Sequence, residues 1–237
     1  MQRSDGGEKH MKYSIAIDGP AGAGKSTVAQ RLAKELNIPY LNTGAMYRAL
    51  AFFALEKGIA LDDKAAVAQL IKDVTVTVFH EGDEQHTVLN GFDCTDFLRS
   101  ETVSQGASKI SKLPVVRDAL ASVQRQLAQS RPMVLEGRDI GTNVLFDTPY
   151  KFYVTASAHE RTRRRVRQLL QLGQEVDFDS ILSEIISRDE RDTNREYMPL
   201  RQAEDAVLID TTELSIEEAV NIIKKTVEEK RDALLLR

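Results

Sequence analysis

Lys25 and Ser26 close the run Gly19-Pro20-Ala21-Gly22-Ala23-Gly24-Lys25-Ser26, which has the pattern G-x-x-x-x-G-K-[ST]. Glycines at this spacing let the chain curl so that its backbone N–H groups face anionic oxygens. A helix starting at the lysine adds the positive end of its dipole. In such a loop Lys25 reaches the terminal phosphates of a nucleotide and the Ser26 hydroxyl holds Mg²⁺. The residues from Gly19 through Thr27 are therefore expected to bind a nucleoside triphosphate.

A second set of chemical groups lies far along the chain. Arg161, Arg164 and Arg165 share one face of an expected helix, with Arg163 and Arg167 nearby, and Arg188, Arg191, Asp192 and Arg195 repeat the spacing. Guanidinium forks bind phosphate oxygens in pairs and stay charged at any relevant pH. Phosphoryl transfer depends on positioning and charge neutralisation more than on acid–base chemistry, so arginines facing a phosphate loop suit that reaction. From the charges alone a second reading stands equally: two solvated helix faces with local ion pairs to Glu160, Asp189 and Glu190. A GTPase does not fit, because the chain has neither N-K-x-D nor D-x-x-G.

The elements that must position these groups are legible as patterns. Five short apolar segments read as buried strands, at 13–17, 39–41, 133–135, 151–155 and 206–209, and helical patterns separate most of them. That alternation implies βαβ crossovers and a parallel sheet. Val28, Leu32 and Leu36 recur at helical spacing after the loop. Ser215 with Glu218 marks the start of a final helix, whose stripe is Ile216, Val220, Ile223 and Val227. One stretch breaks the pattern. Val74–Val78 alternates with period two, and Asn90-Gly91 separates Thr87–Leu89 from Phe92–Cys94, which predicts a hairpin. Residues 72–104 are thus expected to form a small antiparallel sheet inserted into the α/β core, overhanging the phosphate loop as a candidate acceptor-substrate domain.

Length and composition bound the rest. The 237 residues suffice for one α/β domain with a small insertion. No apolar stretch reaches the ~18 residues of a membrane span, and the polar first ten residues do not read as a secretory signal; a leader is expected there. A single cysteine, Cys94, excludes an internal disulfide and suits a reducing compartment, so a cytoplasmic location is expected. The net charge of −4 argues against a general nucleic-acid binder.

With these pieces in place, the chain resembles the bacterial cytidylate kinases (CMP/dCMP kinases), a family of P-loop nucleoside monophosphate kinases. The resemblance rests on Ile17–Thr27, Asn42-Thr43-Gly44-Ala45-Met46-Tyr47-Arg48, Glu136-Gly137-Arg138-Asp139-Ile140-Gly141-Thr142 and Arg188-Asp189-Glu190-Arg191-Asp192-Thr193-Asn194-Arg195, in order. It runs from about Lys12 to the final helix. It implies a P-loop core with a five-stranded parallel sheet flanked by helices (11–71, 105–159 and 174–237), a monophosphate-binding insertion at 72–104 and a helical lid at 160–173. The implied reaction passes the γ-phosphoryl of ATP to CMP or dCMP with Mg²⁺, in a protein expected to be monomeric. By the same resemblance Arg48, Arg138 and Arg195 hold the acceptor phosphate, with Thr43 and Tyr47 lining that pocket. Arg188 and Asp192 contact the sugar, and Ser108, Arg117 and Asp139 read the cytosine. Arg161, Arg164 and Arg165 belong to the lid, and Glu136 orients a Mg²⁺ water. A kinase for UMP or another small acceptor, and a nucleotide-binding regulatory switch, remain open on the residues alone.

Overall fold

The computed structural model describes residues 13–236; the expected leader at 1–10 lies outside them. Strand β1 (Ile15–Asp18) is buried along its whole length, as a strand covered on both faces must be. The phosphate-loop residues turn the chain into helix α1 (Lys25–Leu36), whose buried stripe is Val28, Ala29, Leu32 and Ala33. Strand β2 (Tyr40–Asn42) runs directly into helix α2 (Thr43–Glu56), and the Asn42 side chain caps it by accepting the Ala45 N–H at 3.0 Å. Helix α3 (Lys64–Lys72) follows, capped by Asp63.

Strands β3 (Val76–Glu81), β4 (Glu84–Leu89) and β5 (Phe92–Asp93) form an antiparallel sheet in the order β3-β4-β5. The expected Asn90-Gly91 turn is present, with φ of 49° and 83° at its two residues, both left-handed as a tight hairpin requires. The first hairpin is longer than the alternation at 74–78 predicts, because polar residues near its tip also pair. His80 lies opposite Gln85, and the Phe79 and His86 rings stack at 4.7 Å. The expected unit 72–104 also takes in the end of α3 and the first turn of helix α4 (Glu101–Ile110).

Helix α5 (Pro114–Ser130) leads to strand β6 (Val134–Gly137), and one wide helical turn (Ile140–Val144) precedes strand β7 (Lys151–Thr155). Helices α6 (Ala158–Gln171) and α7 (Phe178–Thr193) pack together, then come strand β8 (Val207–Asp210) and helix α8 (Ile216–Leu235). Ser215 and Glu218 form the expected capping box at the start of α8. The five strands make a parallel sheet ordered β2-β6-β1-β7-β8.

Each face of that sheet has its own apolar core. Leu41, Met46, Leu50, Ile110, Leu120 and Leu135 fill one side, under α2, α4 and α5. Ile15, Ile17, Leu32, Phe152, Val220 and Ile223 fill the other, under α1 and α8. With both faces covered, the open end of the sheet is the carboxyl ends of its strands, where ligands bind in folds of this kind. Asp18, Asn42 and Gly137 end neighbouring strands there. Among the described residues no helix is long and apolar enough to cross a membrane.

Candidate active site

The phosphate loop is shaped by close approach to the sheet. Gly19 has φ of 145°, and a Cβ there would lie 1.9 Å from the Val154 carbonyl oxygen, so only glycine fits. Lys25 is buried and its Nζ donates to the Pro20 carbonyl at 2.6 Å, across the mouth of the loop. Burial, with help from the positive charge of Arg138, pushes the Lys25 ammonium down to about 7, although Glu136 and Asp18 pull it back up.

Glu136, buried at the end of β6, accepts the Ser26 hydroxyl at 2.9 Å and the Tyr40 hydroxyl at 2.6 Å, one on each carboxylate oxygen. A serine hydroxyl beside a carboxylate is a hard oxygen donor set that suits Mg²⁺. Among the described residues no group of three or more His, Cys, Asp or Glu could hold a metal alone. A cation here would take phosphate oxygens and water as its remaining ligands.

Beside this pair the structure gathers arginines from three elements. Arg48 comes from α2, Arg138 from the residue just after β6, and Arg188 from α7. Arg138 Nε donates to Asp192 at 3.0 Å, while the buried Nε of Arg188 has no hydrogen-bond partner among the described residues. Burial disfavours the charge on Arg48 and Arg188 and pushes both below their ordinary values; on Arg188 the nearby Arg138 and Arg48 add to this. Burial alone would raise Asp192, but Arg138, Arg188 and Arg195 outweigh it and hold the carboxyl below its ordinary range. Three half-buried guanidiniums within electrostatic reach of one another, with Glu136 and Asp192 beside them, are a set suited to an anion of more than one charge.

A buried ion pair lies within electrostatic reach of this cluster. Arg117 and Asp139 are both buried and form an ion pair at 2.5 Å from Nη2 to Oδ1. Burial works against the Arg117 charge, but Tyr47 and Asp139 overcome it and raise the guanidinium above its ordinary value. The Tyr47 ring lies under that guanidinium at 5.4 Å. Burial pushes the Tyr47 hydroxyl up to about 12, so it stays neutral. Arg117 Nη1 donates to the Ser111 carbonyl, one turn beyond half-buried Ser108 on α4. Thr43 is buried and donates to the Glu136 carbonyl at 2.7 Å, joining the start of α2 to the end of β6. Arg195 donates through Nε to the Tyr197 carbonyl at 2.8 Å and through Nη2 to that of Met198.

Three of the five arginines of α6, at 161, 164 and 165, part company. Arg161 is buried against the phosphate loop and donates to the carbonyls of Ala156 and Ala21, with Nη2 2.6 Å from Asp189. Arg164 turns to Thr211, donating to its hydroxyl and its carbonyl, and lies beside Gly24. Arg165 points the other way, toward Glu101 at 3.5 Å. It lines a cleft of about 2150 Å³ between α6–α7 and the antiparallel sheet, together with Thr27, Arg48, His80 and Gln85.

Sequence reasoning missed three groups. Asp18 is buried at the end of β1 and accepts the backbone N–H groups of Ile140 and Gly141; burial raises its carboxyl to about 7. A lone acid closing an apolar strand was the available signal. Tyr40 carried none, since its partner Glu136 is far away in the chain, and nothing in the sequence pairs Asn143 with Arg125.

The family described as cytidylate kinase matches residues 15–229 of this chain. A cytidylate kinase from Carboxydothermus hydrogenoformans is 46% identical over 220 residues, covering 93% of this chain and 99% of that protein. A cytidylate kinase from Geobacillus kaustophilus is 45% identical over 219 residues, covering 92% and 98% respectively. Among solved structures, an uncharacterized protein from Eubacterium ventriosum has a similar fold, with a TM-score of 0.51 at 16% identity over 92% of this chain and 99% of that one. The motifs at the strand ends and the match across nearly the whole chain agree: this protein belongs to the cytidylate kinase family.

Proposed function

We propose that the protein transfers the γ-phosphoryl group of ATP to CMP and dCMP, giving ADP and the corresponding diphosphate. The observation that carries this reading is the meeting of the phosphate loop with an arginine cluster and the buried Arg117–Asp139 pair at one end of the sheet. An oxygen of the acceptor phosphate attacks the γ-phosphorus, a P–O bond forms, and the bond to the β-phosphate oxygen breaks with its electrons leaving on ADP. The attacking phosphate is already ionised at neutral pH, so no side chain need remove a proton.

Gly19 to Thr27 would cradle the donor phosphates through backbone N–H groups, with Lys25 on the terminal ones. Ser26 would hold Mg²⁺, with Glu136 orienting a water on it, and the ion supplies charge neutralisation on the donor phosphates when bound. Arg48, Arg138 and Arg195 would take the acceptor phosphate, and Arg188 with Asp192 the sugar. Arg161 braces the loop, while Arg164 and Arg165 stand on the helix proposed as the lid (160–173). Closure of that helix and of the antiparallel sheet (72–104) would exclude water and suppress wasted hydrolysis of ATP.

Base selection follows from the chemistry of the buried Arg117–Asp139 pair. Asp139 is a pure acceptor and suits the cytosine amino group, whereas uracil presents an oxygen at that position. Arg117 is a pure donor and suits cytosine O2 and N3. The wrong base leaves a buried group unpaired, which discriminates strongly. A monomer in the cytoplasm is the simplest setting for this reading. ADP release from MgATP with CMP, dCMP, UMP, AMP and GMP in turn tests it. Turnover confined to CMP and dCMP supports it; no stimulation by any monophosphate overturns it.

A further inference from the structure

We infer that Asn143, held in place by Arg125, is a positioning residue for the Asp139 carboxylate and thereby a determinant of cytosine-over-uracil selectivity. The inference rests on the reading of Asp139 as a base-contacting group.

Arg125 stands on α5, about two turns beyond Arg117. Its Nη2 donates to the Asn143 side-chain oxygen at 2.7 Å and to the Asn143 backbone carbonyl at 3.0 Å. A guanidinium has no acceptor, so the amide oxygen of Asn143 must face it. The amide nitrogen is thereby committed to the opposite side. There Nδ2 lies 3.3 Å from Asp139 Oδ2 and 3.0 Å from the Met198 sulfur. The orientation of this side chain is set by its partners and not by free choice.

The consequence falls on Asp139. Arg117 takes one of its oxygens and Asn143 the other. A carboxylate gripped on a single oxygen can swing about its Cβ–Cγ bond; one gripped on both keeps its plane. Both grips are donors, so the lone pairs left over can only accept. That is the property needed to favour an amino group over a carbonyl oxygen.

Asn143 also joins the two halves of the acceptor site. Met198 has a left-handed backbone, φ 51°, and its carbonyl accepts from Arg195. The sulfur contact therefore ties the base-reading turn to the segment carrying one of the arginines proposed for the acceptor phosphate. Asn143 lies outside every residue expected to touch the nucleotide, and its influence passes through Asp139.

The test compares kcat/KM for CMP and for UMP, with saturating MgATP, in the full-length protein. The variants are Asn143→Leu, Arg125→Met, the double variant, and Asp139→Asn as reference. Loss of one such hydrogen bond is expected to lower the CMP/UMP ratio by ~10-fold in Asn143→Leu, with the KM for ATP unchanged. Arg125→Met should lower the ratio in the same direction. The double variant should be no worse than Asn143→Leu, because the two residues act as one unit. Equal loss with both nucleotides, leaving the ratio intact, overturns the inference. So does an additive double variant, for the part given to Arg125. If Asn143→Leu fails to fold, Arg125→Met removes the same anchor from outside the pocket and is judged by the same ratio. An unchanged ratio in Asp139→Asn would instead refute the base-reading role itself. A collapse there with none in Asn143→Leu would refute only the present inference.

Discussion

The Asp18 carboxylate accepts the backbone N–H of Gly141 at 2.7 Å, with the Ile140 N–H on its other oxygen at 2.8 Å. Asp18 is the last residue of β1, next to the phosphate loop, and Ile140 follows Arg138 and Asp139. One buried carboxylate thus ties the strand leading into the phosphate loop to the turn that follows Arg138 and Asp139.

Asp18→Asn keeps one acceptor but sets an amide nitrogen against the second N–H. A loss of about 1–3 kcal/mol is expected from that orphaned group. The loss should depend on pH. Burial raises Asp18 to about 7, above its unfolded value, so the native state holds this proton more tightly. Its contribution is full below about pH 4 and is lost as pH rises through about 7. Urea unfolding at pH 5 and pH 8 should therefore show a smaller gap between wild type and variant at pH 8. A gap that is the same at both would mean that Asp18 does not titrate in this range.

Lys25→Ala should lower kcat by ~10²–10³ or more, since it removes charge where it develops in transfer. Binding of CMP, measured by calorimetry, should change little, because the lysine belongs to the donor loop. Near-normal turnover would remove Lys25 from the mechanism.

Lys25 also predicts a proton linkage. Its ammonium is depressed to about 7 by burial and by Arg138, so at pH 8 most of it is neutral without an anion. Donor phosphates favour the charged form. ATP binding at pH 8 should take up about one proton, seen as a dependence of binding heat on buffer ionisation enthalpy. In Lys25→Met that dependence should vanish; its persistence would place the proton elsewhere.

Asp139→Ala should cut kcat/KM for CMP by ~10–100-fold while leaving UMP use much less affected. Parallel assays with the two nucleotides measure this directly. An unchanged CMP/UMP ratio would separate Asp139 from base selection.

Much of this protein was written locally in its chain. The phosphate loop is contiguous, so Gly19 to Ser26 could be read without knowing what surrounds them. The five strands, the Asn90-Gly91 turn and the Ser215–Glu218 cap likewise depend on neighbours within a few residues, where periodicity and turn chemistry act. The strand ends were displaced by a residue or two, and the first hairpin extended to Glu81 and Glu84, because cross-strand pairing decides where a strand stops.

The roles of individual side chains were decided otherwise. Arg161, Arg164 and Arg165 share a helix face by spacing, yet one braces the loop, one binds Thr211 and one reaches Glu101. Asp18 with Gly141, Tyr40 with Glu136, and Arg125 with Asn143 meet only because β1, β2, β6 and α5 converge at one end of the sheet. A sequence determines which groups are present and which local elements carry them. Which donor meets which acceptor across a hundred residues is settled by packing, since burial leaves each polar group only the partners that the fold brings within reach.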